Sequence, residues 1–204
     1  MLGTADEVVD LVALTRAAVD VAGGKGANLG ELVAAGLPVP PGFVLTADAY
    51  RQSMEAGGVR ATLRERLGEA LQAVDDPVRL GGSARSCRRW CGGLGCRRRS
   101  ARDSLRPTGS SASGATVAVR SSATSEDAAD TSFAGMNLTV TNVAGEERLL
   151  AAVLDCWASL FGERVVAHRA GKGLDEEPAM AVVVQFMVDS ECSGVAFTAD
   201  PQHL

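Results

Sequence analysis

The chain of 204 residues is poor in histidine, which occurs only at His168 and His203. Two histidines are too few for a histidine-rich metal centre and leave little scope for a Ser–His–Asp triad. Also lacking is a run of the roughly 18 apolar residues that a membrane-spanning helix needs. The N-terminus carries Asp6, Glu7 and Asp10 where a secretory signal would need basic residues. These absences predict a cytoplasmic protein without a membrane segment.

An excess of positive charge is missing as well. Lysine and arginine number 20 against 25 aspartate and glutamate residues, which gives a formal net charge of -5. Proteins that bind nucleic acid or an anionic membrane through charge have the opposite balance. We therefore expect neither as a partner. The length suffices for one good-sized domain or two small ones, with a buried core.

One window, residues 81–113, departs from the rest of the chain. It contains eight arginines and a single acid, Asp103, and it holds Cys87, Cys91 and Cys96. The C-x3-C-x4-C spacing fits none of the usual zinc or iron–sulfur patterns, although three cysteines leave a metal site open. A basic loop that attracts anionic partners is a second interpretation.

A misread frame in a GC-rich gene is the third interpretation of this window, and the one we favour. Its large apolar residues are limited to Trp90, Leu94 and Leu105, without a helical or strand period. So little apolar surface does not offset the entropy of ordering. We therefore predict that residues 81–113 are poorly packed or disordered.

Elsewhere the hydrophobic pattern alternates between helical and strand periods, which predicts a domain of the α/β (α+β) class. Helices are predicted at residues 27–35, 46–54 and 60–74, followed by one long helix that runs toward residue 169. Strands are predicted at residues 41–45, 116–120, 137–143, 180–187 and 194–198.

Two segments have the chemistry of phosphate binding. In the first, VRSSATSED, a short β-branched run brings Arg120 to the end of a strand, and small hydroxyl residues follow; SFAG, which ends at Gly135, comes soon after. The guanidinium offers a planar fork of donors to phosphate oxygens, and small residues let an anion approach the backbone. A solvated Ser/Thr loop is the alternative.

The second segment, GGKGANLGEL, places Lys25 inside a glycine turn directly before a helical pattern. The N-terminus of a helix presents backbone N–H groups, and the lysine adds a mobile positive charge, so phosphate is the natural ligand. The segment is not a Walker A loop, because Gly26 stands where Ser or Thr is required. It is not the dinucleotide fingerprint either, which needs a glycine at position 29.

These two segments occur together with three others: GLPVPPGFVLT at 36–46, QFMV at 185–188 and SGVAFTADP at 193–201. The order and the residues of these segments resemble those of the N-terminal ATP-binding domain of the phosphoenolpyruvate synthase, pyruvate phosphate dikinase and rifampin phosphotransferase family. The resemblance covers roughly residues 18–56 and 114–201. It implies that residues 1–201 form a partial domain of this dikinase type, with 202–204 as a tail.

The resemblance also implies a fold and a reaction. Enzymes of this family have an ATP-grasp fold that binds Mg-ATP between two subdomains. They pass the β-phosphoryl group of ATP to a histidine on a separate domain and release AMP and phosphate. The resemblance leaves the final acceptor, a small molecule, open between pyruvate and an antibiotic such as rifampin.

Five residues receive roles by resemblance. Lys25 and Arg120 would hold the phosphates and act in catalysis, and Gly135 and Thr139 match family positions near the phosphates and the nucleotide. Gln185 matches the strand on which the adenine rests, where an amide could read a purine edge. A buried structural glutamine is the alternative for Gln185.

The family's second subdomain should begin where this chain ends. The resemblance places the Mg²⁺ ligands and the phosphohistidine domain beyond Leu204, so no metal ligand is assigned within the chain. Glu126, Asp127 and Asp130 are interpreted as capping or solvated carboxylates. We expect the chain alone to bind ATP weakly or not at all and to be inactive. A noncatalytic nucleotide-binding or interaction module, or a degraded gene product, is the alternative.

Overall fold

A computed structural model describes residues 7–91, 116–124, 138–174 and 176–195 of the chain. These residues form a five-stranded sheet in the order β1-β2-β5-β3-β4, in which every neighbouring pair of strands is antiparallel. Helices pack on both faces, so the fold is α+β. The strands are β1 Val8–Asp10, β2 Gly42–Leu45, β3 Val117–Ala123, β4 Thr139–Val143 and β5 Met180–Phe186.

Six α-helices lie in the described part of the chain. Two of them begin with side-chain caps, which satisfy first-turn N–H groups: the Thr46 hydroxyl accepts from the Ala49 amide, and the Asp76 carboxylate accepts from the amides of Val78 and Arg79. None of the described helices has the length and apolar character needed to cross a membrane. The helices are α1 Val19–Ala34, α2 Ala47–Ala56, α3 Arg60–Gln72, α4 Pro77–Arg89, α5 Glu146–Ser159 and α6 Glu163–Gly171.

One face of the sheet carries the main hydrophobic core. Alternate residues of a strand point to opposite faces, and Leu45, Val119 and Val182 point to the same one. Helices α2 to α6 contribute buried side chains to this core. At its centre, the ring of Tyr50 packs edge-on against the fully buried Trp157, with 5.7 Å between the ring centroids.

The opposite face carries a smaller cluster under α1. Val44 of β2 and Val183 of β5 pack there with Leu14 and Ala22. Helix α1 lies against β5 and β3. The sheet therefore has one face covered by five helices and another covered by α1.

The segment that enters β5 is fixed by a carboxylate held between two arginines of α3. Glu177 accepts hydrogen bonds from Arg60 at 2.8 Å and 2.9 Å and also from Arg64. The bonds from Arg60 and Arg64 keep the pKa of the Glu177 carboxyl below its ordinary value. This ionic contact anchors the start of β5 to the helical layer.

Most of the predicted elements are observed, with two exceptions. The long helix predicted toward residue 169 is two helices, because Gly162 takes an extended backbone conformation (φ -67°, ψ 144°) and begins α6. Residues 194 and 195, the described part of the strand predicted at 194–198, are exposed and outside any strand. Strand β1 and helix α4 were not predicted.

The prediction of poor packing is wrong for residues 81–91. Helix α4 runs through most of this part and buries Leu80, Ala84 and Cys87, and Cys91, just after the helix, is buried at the same spacing. The sequence showed no period within 81–91 because the stripe has no large aliphatic residue after Leu80. Residues 92–113 lie outside the described residues.

The buried thiols are core residues. Burial raises the pKa of Cys87 to about 11 and that of Cys156 to about 12, so both are protonated at neutral pH. Cys87 packs in the main hydrophobic core, and Cys96, the third cysteine of the metal site considered for the window, lies outside the described residues.

Two substitutions test whether α4 belongs to the cooperative fold. Gly82 is exposed, and a Cβ atom there meets no other atom within 4 Å. We expect Gly82→Ala to raise the free energy of unfolding by about 0.5–1 kcal/mol through helix propensity. We expect Ala84→Asp, which buries a carboxylate, to lower it by about 3 kcal/mol or more. Urea denaturation measures both; two unchanged midpoints would contradict this position of α4.

Candidate functional site

Arg120 and Thr139 are direct neighbours across two strands. Arg120 of β3 is half-buried and pairs with Thr139 of β4 on one side and with Val183 of β5 on the other. Paired residues of antiparallel strands point to the same face. Because Val183 belongs to the cluster under α1, Arg120 and Thr139 project on the α1 face.

Gln185 lies on the same face. It pairs with Ala118, two residues before Arg120 in β3, and with Gly42 of β2. The side chain is 8% exposed, and its Nε2 donates a hydrogen bond of 3.0 Å to the carbonyl of Pro40. One N–H donor of the Gln185 amide is therefore used within the fold, as expected for a buried structural glutamine. The residue nevertheless lies on the face of the sheet that carries Arg120.

Lys25 stands just after a break in α1. Gly23 has φ 67° and ψ 171°, which is not helical and is a conformation that glycine tolerates. The helix continues on both sides of this residue, so a new helical N-terminus forms at the glycine turn, with Lys25 in its first turn. The Lys25 side chain is half-buried. The predicted glycine turn is thus observed at Gly23, while Lys25 lies in the first turn of the helix that follows and not in the turn itself.

The lysine segment touches the arginine strand through Ser122. The Ser122 hydroxyl donates to the carbonyl of Ala22 at 2.8 Å and accepts from the amide of Gly26 at 3.3 Å. A Cβ atom on Gly23 would lie 2.3 Å from both the carbonyl oxygen and the hydroxyl of Ser122. Two segments almost 100 residues apart in sequence are therefore in direct contact.

Sequence reasoning missed this role of the serines. It treated Ser121 and Ser122 as small residues that leave room for an anion after a strand ending at Arg120. The strand instead continues to Ala123, and both serines are fully buried. The hydroxyl of Ser121 accepts a 2.8 Å hydrogen bond from the Leu138 amide. The signal that could have revealed this role is the alternation of side chains along a strand that continues past Arg120. Such a strand places Arg120 and Ser122 on the same face of the sheet.

Arg120, Thr139 and Gln185 thus lie on the α1 face of the sheet, and Lys25 belongs to α1 itself, next to Gly26, which contacts β3 through Ser122. Gly135 and the acidic residues between 126 and 130 lie outside the described residues. Within the described ranges, no group of three or more histidine, cysteine, aspartate or glutamate residues is placed to hold a metal ion. Lys25, Arg120, Thr139 and Gln185 include no carboxylate, so these four residues by themselves do not form a Mg²⁺ site.

An open groove of about 690 Å³ lies on the other side of the sheet, between β4 and helices α4, α5 and α6. Its lining includes Arg88 and Arg164, balanced by Asp155 and Glu163, and none of the predicted site residues. Val140, which lines it, packs against the main core. The balanced charge does not favour phosphate, so this groove is not the candidate site.

Comparisons with known proteins agree with the resemblance found in the sequence. Residues 19–204 match the family described as pyruvate phosphate dikinase, AMP/ATP-binding domain. The chain is 39% identical over 204 residues to a probable phosphoenolpyruvate synthase of Staphylothermus marinus, covering 95% of this chain and 24% of that protein. It is 41% identical over 184 residues to the phosphoenolpyruvate synthase of Aeropyrum pernix, covering 88% and 22%.

A third relative is named for a different acceptor, rifampicin. The chain is 40% identical over 196 residues to a rifampicin phosphotransferase of a Streptomyces species, covering 95% of this chain and 22% of that protein. The chain therefore spans about a quarter of the length of the relatives it matches.

The contact between Gly23 and Ser122 can be tested against a second glycine. Gly36 also has a positive φ, 75°, but a Cβ atom there meets nothing within 4 Å. Gly36→Ala should cost about 1–2 kcal/mol of unfolding free energy through its backbone conformation alone. Gly23→Ala should cost about 1–3 kcal/mol more, because the methyl group collides with Ser122. Chemical denaturation measures both losses of unfolding free energy. Equal losses for Gly36→Ala and Gly23→Ala would show that the backbone at Gly23 and strand β3 are not in close contact.

Proposed function

Because the chain belongs to the family of pyruvate phosphate dikinase AMP/ATP-binding domains, we propose that it binds ATP on the α1 face of the sheet. One contact carries this proposal: Ser122 hydrogen bonds to both sides of the break in α1. Lys25 stands next to one of the bonded residues, and Arg120 stands two residues before Ser122 on the same face. Two cations from distant segments are thereby available to one polyanion.

Each residue has a role that suits its chemistry. The Lys25 ammonium and the Arg120 guanidinium hold the phosphates, and as fixed cations they stabilise charge that develops there during transfer. The Thr139 hydroxyl, directly opposite Arg120, donates to a phosphate or ribose oxygen. Gln185 keeps one N–H on Pro40 and uses its remaining amide atoms on the purine edge. Gly135, outside the described residues, would lie near the phosphates.

The wider reaction follows from the family. Relatives are named phosphoenolpyruvate synthase and rifampicin phosphotransferase. In the proposed reaction the β-phosphoryl group of ATP passes through a phosphohistidine on another domain to pyruvate or a rifampicin-type antibiotic, and AMP and phosphate are released. The ATP-grasp assignment belongs to the same proposal. This chain supplies the residues that bind and orient the nucleotide.

Nucleotide binding can be measured by lysine labelling, since Lys25 and Lys172 are the only lysines of the chain. An acyl-phosphate derivative of ATP transfers its acyl group to a lysine beside the bound phosphates. We expect Lys25 to be acylated in preference to Lys172, an exposed residue just after α6, and excess ATP to protect Lys25 alone. Mass spectrometry of the digested protein quantifies both sites, and covalent capture registers even weak binding.

Arginine variants complete this labelling experiment. Arg120→Ala should reduce acylation of Lys25 by about tenfold or more, because a hydrogen bond to a charged group is worth roughly 1.5–3 kcal/mol. Arg148→Ala is the matched control: this exposed arginine belongs to α5, which packs on the opposite face. Equal labelling of the two lysines, or no protection by ATP, would refute the proposed site.

Catalytic roles require the remaining domains. In a chimera in which this chain replaces the matching segment of the Aeropyrum pernix enzyme, Lys25→Ala and Arg120→Ala should each slow AMP formation. The expected loss is about 2–4 kcal/mol of transition-state stabilisation, as for other preorganised groups. Melting temperatures should stay near that of the parent chimera. A loss of activity that only follows a fall in melting temperature would make the residue structural, and a folded but inactive parent chimera would favour a noncatalytic module.

A further inference from the structure

We propose that Ser122 is a positioning residue, which sets the place of Lys25 relative to Arg120; this inference rests on the nucleotide site proposed above. The hydroxyl of Ser122 is fully buried, and both of its hydrogen bonds go to the backbone of α1. Ser122 therefore acts on the ligand through other residues and does not touch it.

The hydroxyl solves a problem that the break in α1 creates. Interrupting a helix leaves carbonyls of the first piece and N–H groups of the second piece without partners inside the helix. Ser122 supplies one partner to each piece, because it donates to Ala22 before the break and accepts from Gly26 after it. A side chain of the sheet thus stabilises the irregular backbone of the helix.

The same hydrogen bonds connect the two cationic residues, Lys25 and Arg120, through a short chain of covalent and hydrogen bonds. Lys25 is covalently joined to Gly26, Gly26 is hydrogen bonded to Ser122, and Arg120 lies two residues away in the same strand. Because β3 is held by β4 and β5 on its two sides, it forms a rigid base for this path. Losing the hydroxyl frees the turn that carries Lys25 while Arg120 keeps its place in the sheet.

The close approach of Gly23 limits what can replace the serine. With Gly23 packed directly on Ser122, a residue with more volume has little room. Alanine fits but leaves the Ala22 carbonyl and the Gly26 amide without this partner. Cysteine keeps a donor and an acceptor at this position, but both are weaker and the sulfur atom is larger than the hydroxyl oxygen. The Ser-to-Ala change therefore tests the hydrogen bonds without added volume, and cysteine restores weak ones.

The experiment combines hydrogen exchange and lysine labelling on the whole chain. In Ser122→Ala the Gly26 amide should exchange about fivefold to tenfold faster, as expected for one lost hydrogen bond. The ratio of acylation at Lys25 to that at Lys172 by the ATP derivative should fall by a similar factor, with Ser122→Cys between the two. With a neutral reagent, N-succinimidyl acetate, the same ratio should rise, because Lys25 is no longer held against the fold.

Ser121→Ala is the matched control. It removes the adjacent buried hydroxyl, one partner of which is the Leu138 amide, on the other side of β3 from β5. It should lower stability to a similar extent and leave the Gly26 exchange rate and both labelling ratios unchanged. If Ser122→Ala does not fold, Ser122→Cys provides the comparison.

The outcomes separate this inference from the function on which it rests. Unchanged Gly26 exchange, or faster exchange with both labelling ratios unaltered, would overturn the positioning role. Absence of ATP-protected labelling in the unmodified chain would instead refute the nucleotide site. In that case two measurements on Ser122→Ala still test the positioning role: the exchange rate of the Gly26 amide and the labelling ratio with the neutral reagent. If neither changes, the positioning role is overturned. If both change, it is supported.

Discussion

The backbone of Gly23 lies so close to strand β3 that no side chain fits between them. This approach determines where α1 breaks, how the helix lies on the sheet and which residues meet at the candidate site. A glycine is required for two reasons at once, the positive φ and the lack of space. The Ser122 hydroxyl then makes the break tolerable by bonding to the backbone on each side of it.

The two faces of the sheet divide stability from function. Five helices cover one face and bury the large side chains around Trp157, so most of the apolar area is removed from water there. The α1 face carries a small cluster and the polar residues proposed to bind ATP. Strand β3 serves both faces by simple alternation, since Val119 and Ser121 point away from α1 while Arg120 and Ser122 point toward it. One strand can therefore be a core element and part of a site.

Helix α4 shows how composition can mislead. Its buried stripe consists of Leu80, Ala84 and Cys87, with Cys91 buried just after the helix, and its arginines at 88 and 89 are exposed. Because the stripe has no large aliphatic residue after Leu80, the helical period was not recognised, and the run of arginines suggested an unpacked segment. A narrow stripe of small residues is sufficient here because α4 packs closely against α3, and burial raises the pKa of the Cys87 thiol.

The sequence by itself determined the family, most helices and strands, and the two segments with phosphate chemistry. These features could be predicted because hydrophobic periodicity and short motifs involve residues that are close together along the chain. It also placed the start of a helix at Thr46 and the glycine turn before Lys25. Only the tertiary structure decided that Lys25 and Arg120 share one face, that the helix ending near residue 169 breaks at Gly162, and that Ser122 bridges the broken α1. Those outcomes depend on strand register and on contacts between residues up to 100 positions apart, which no local pattern encodes.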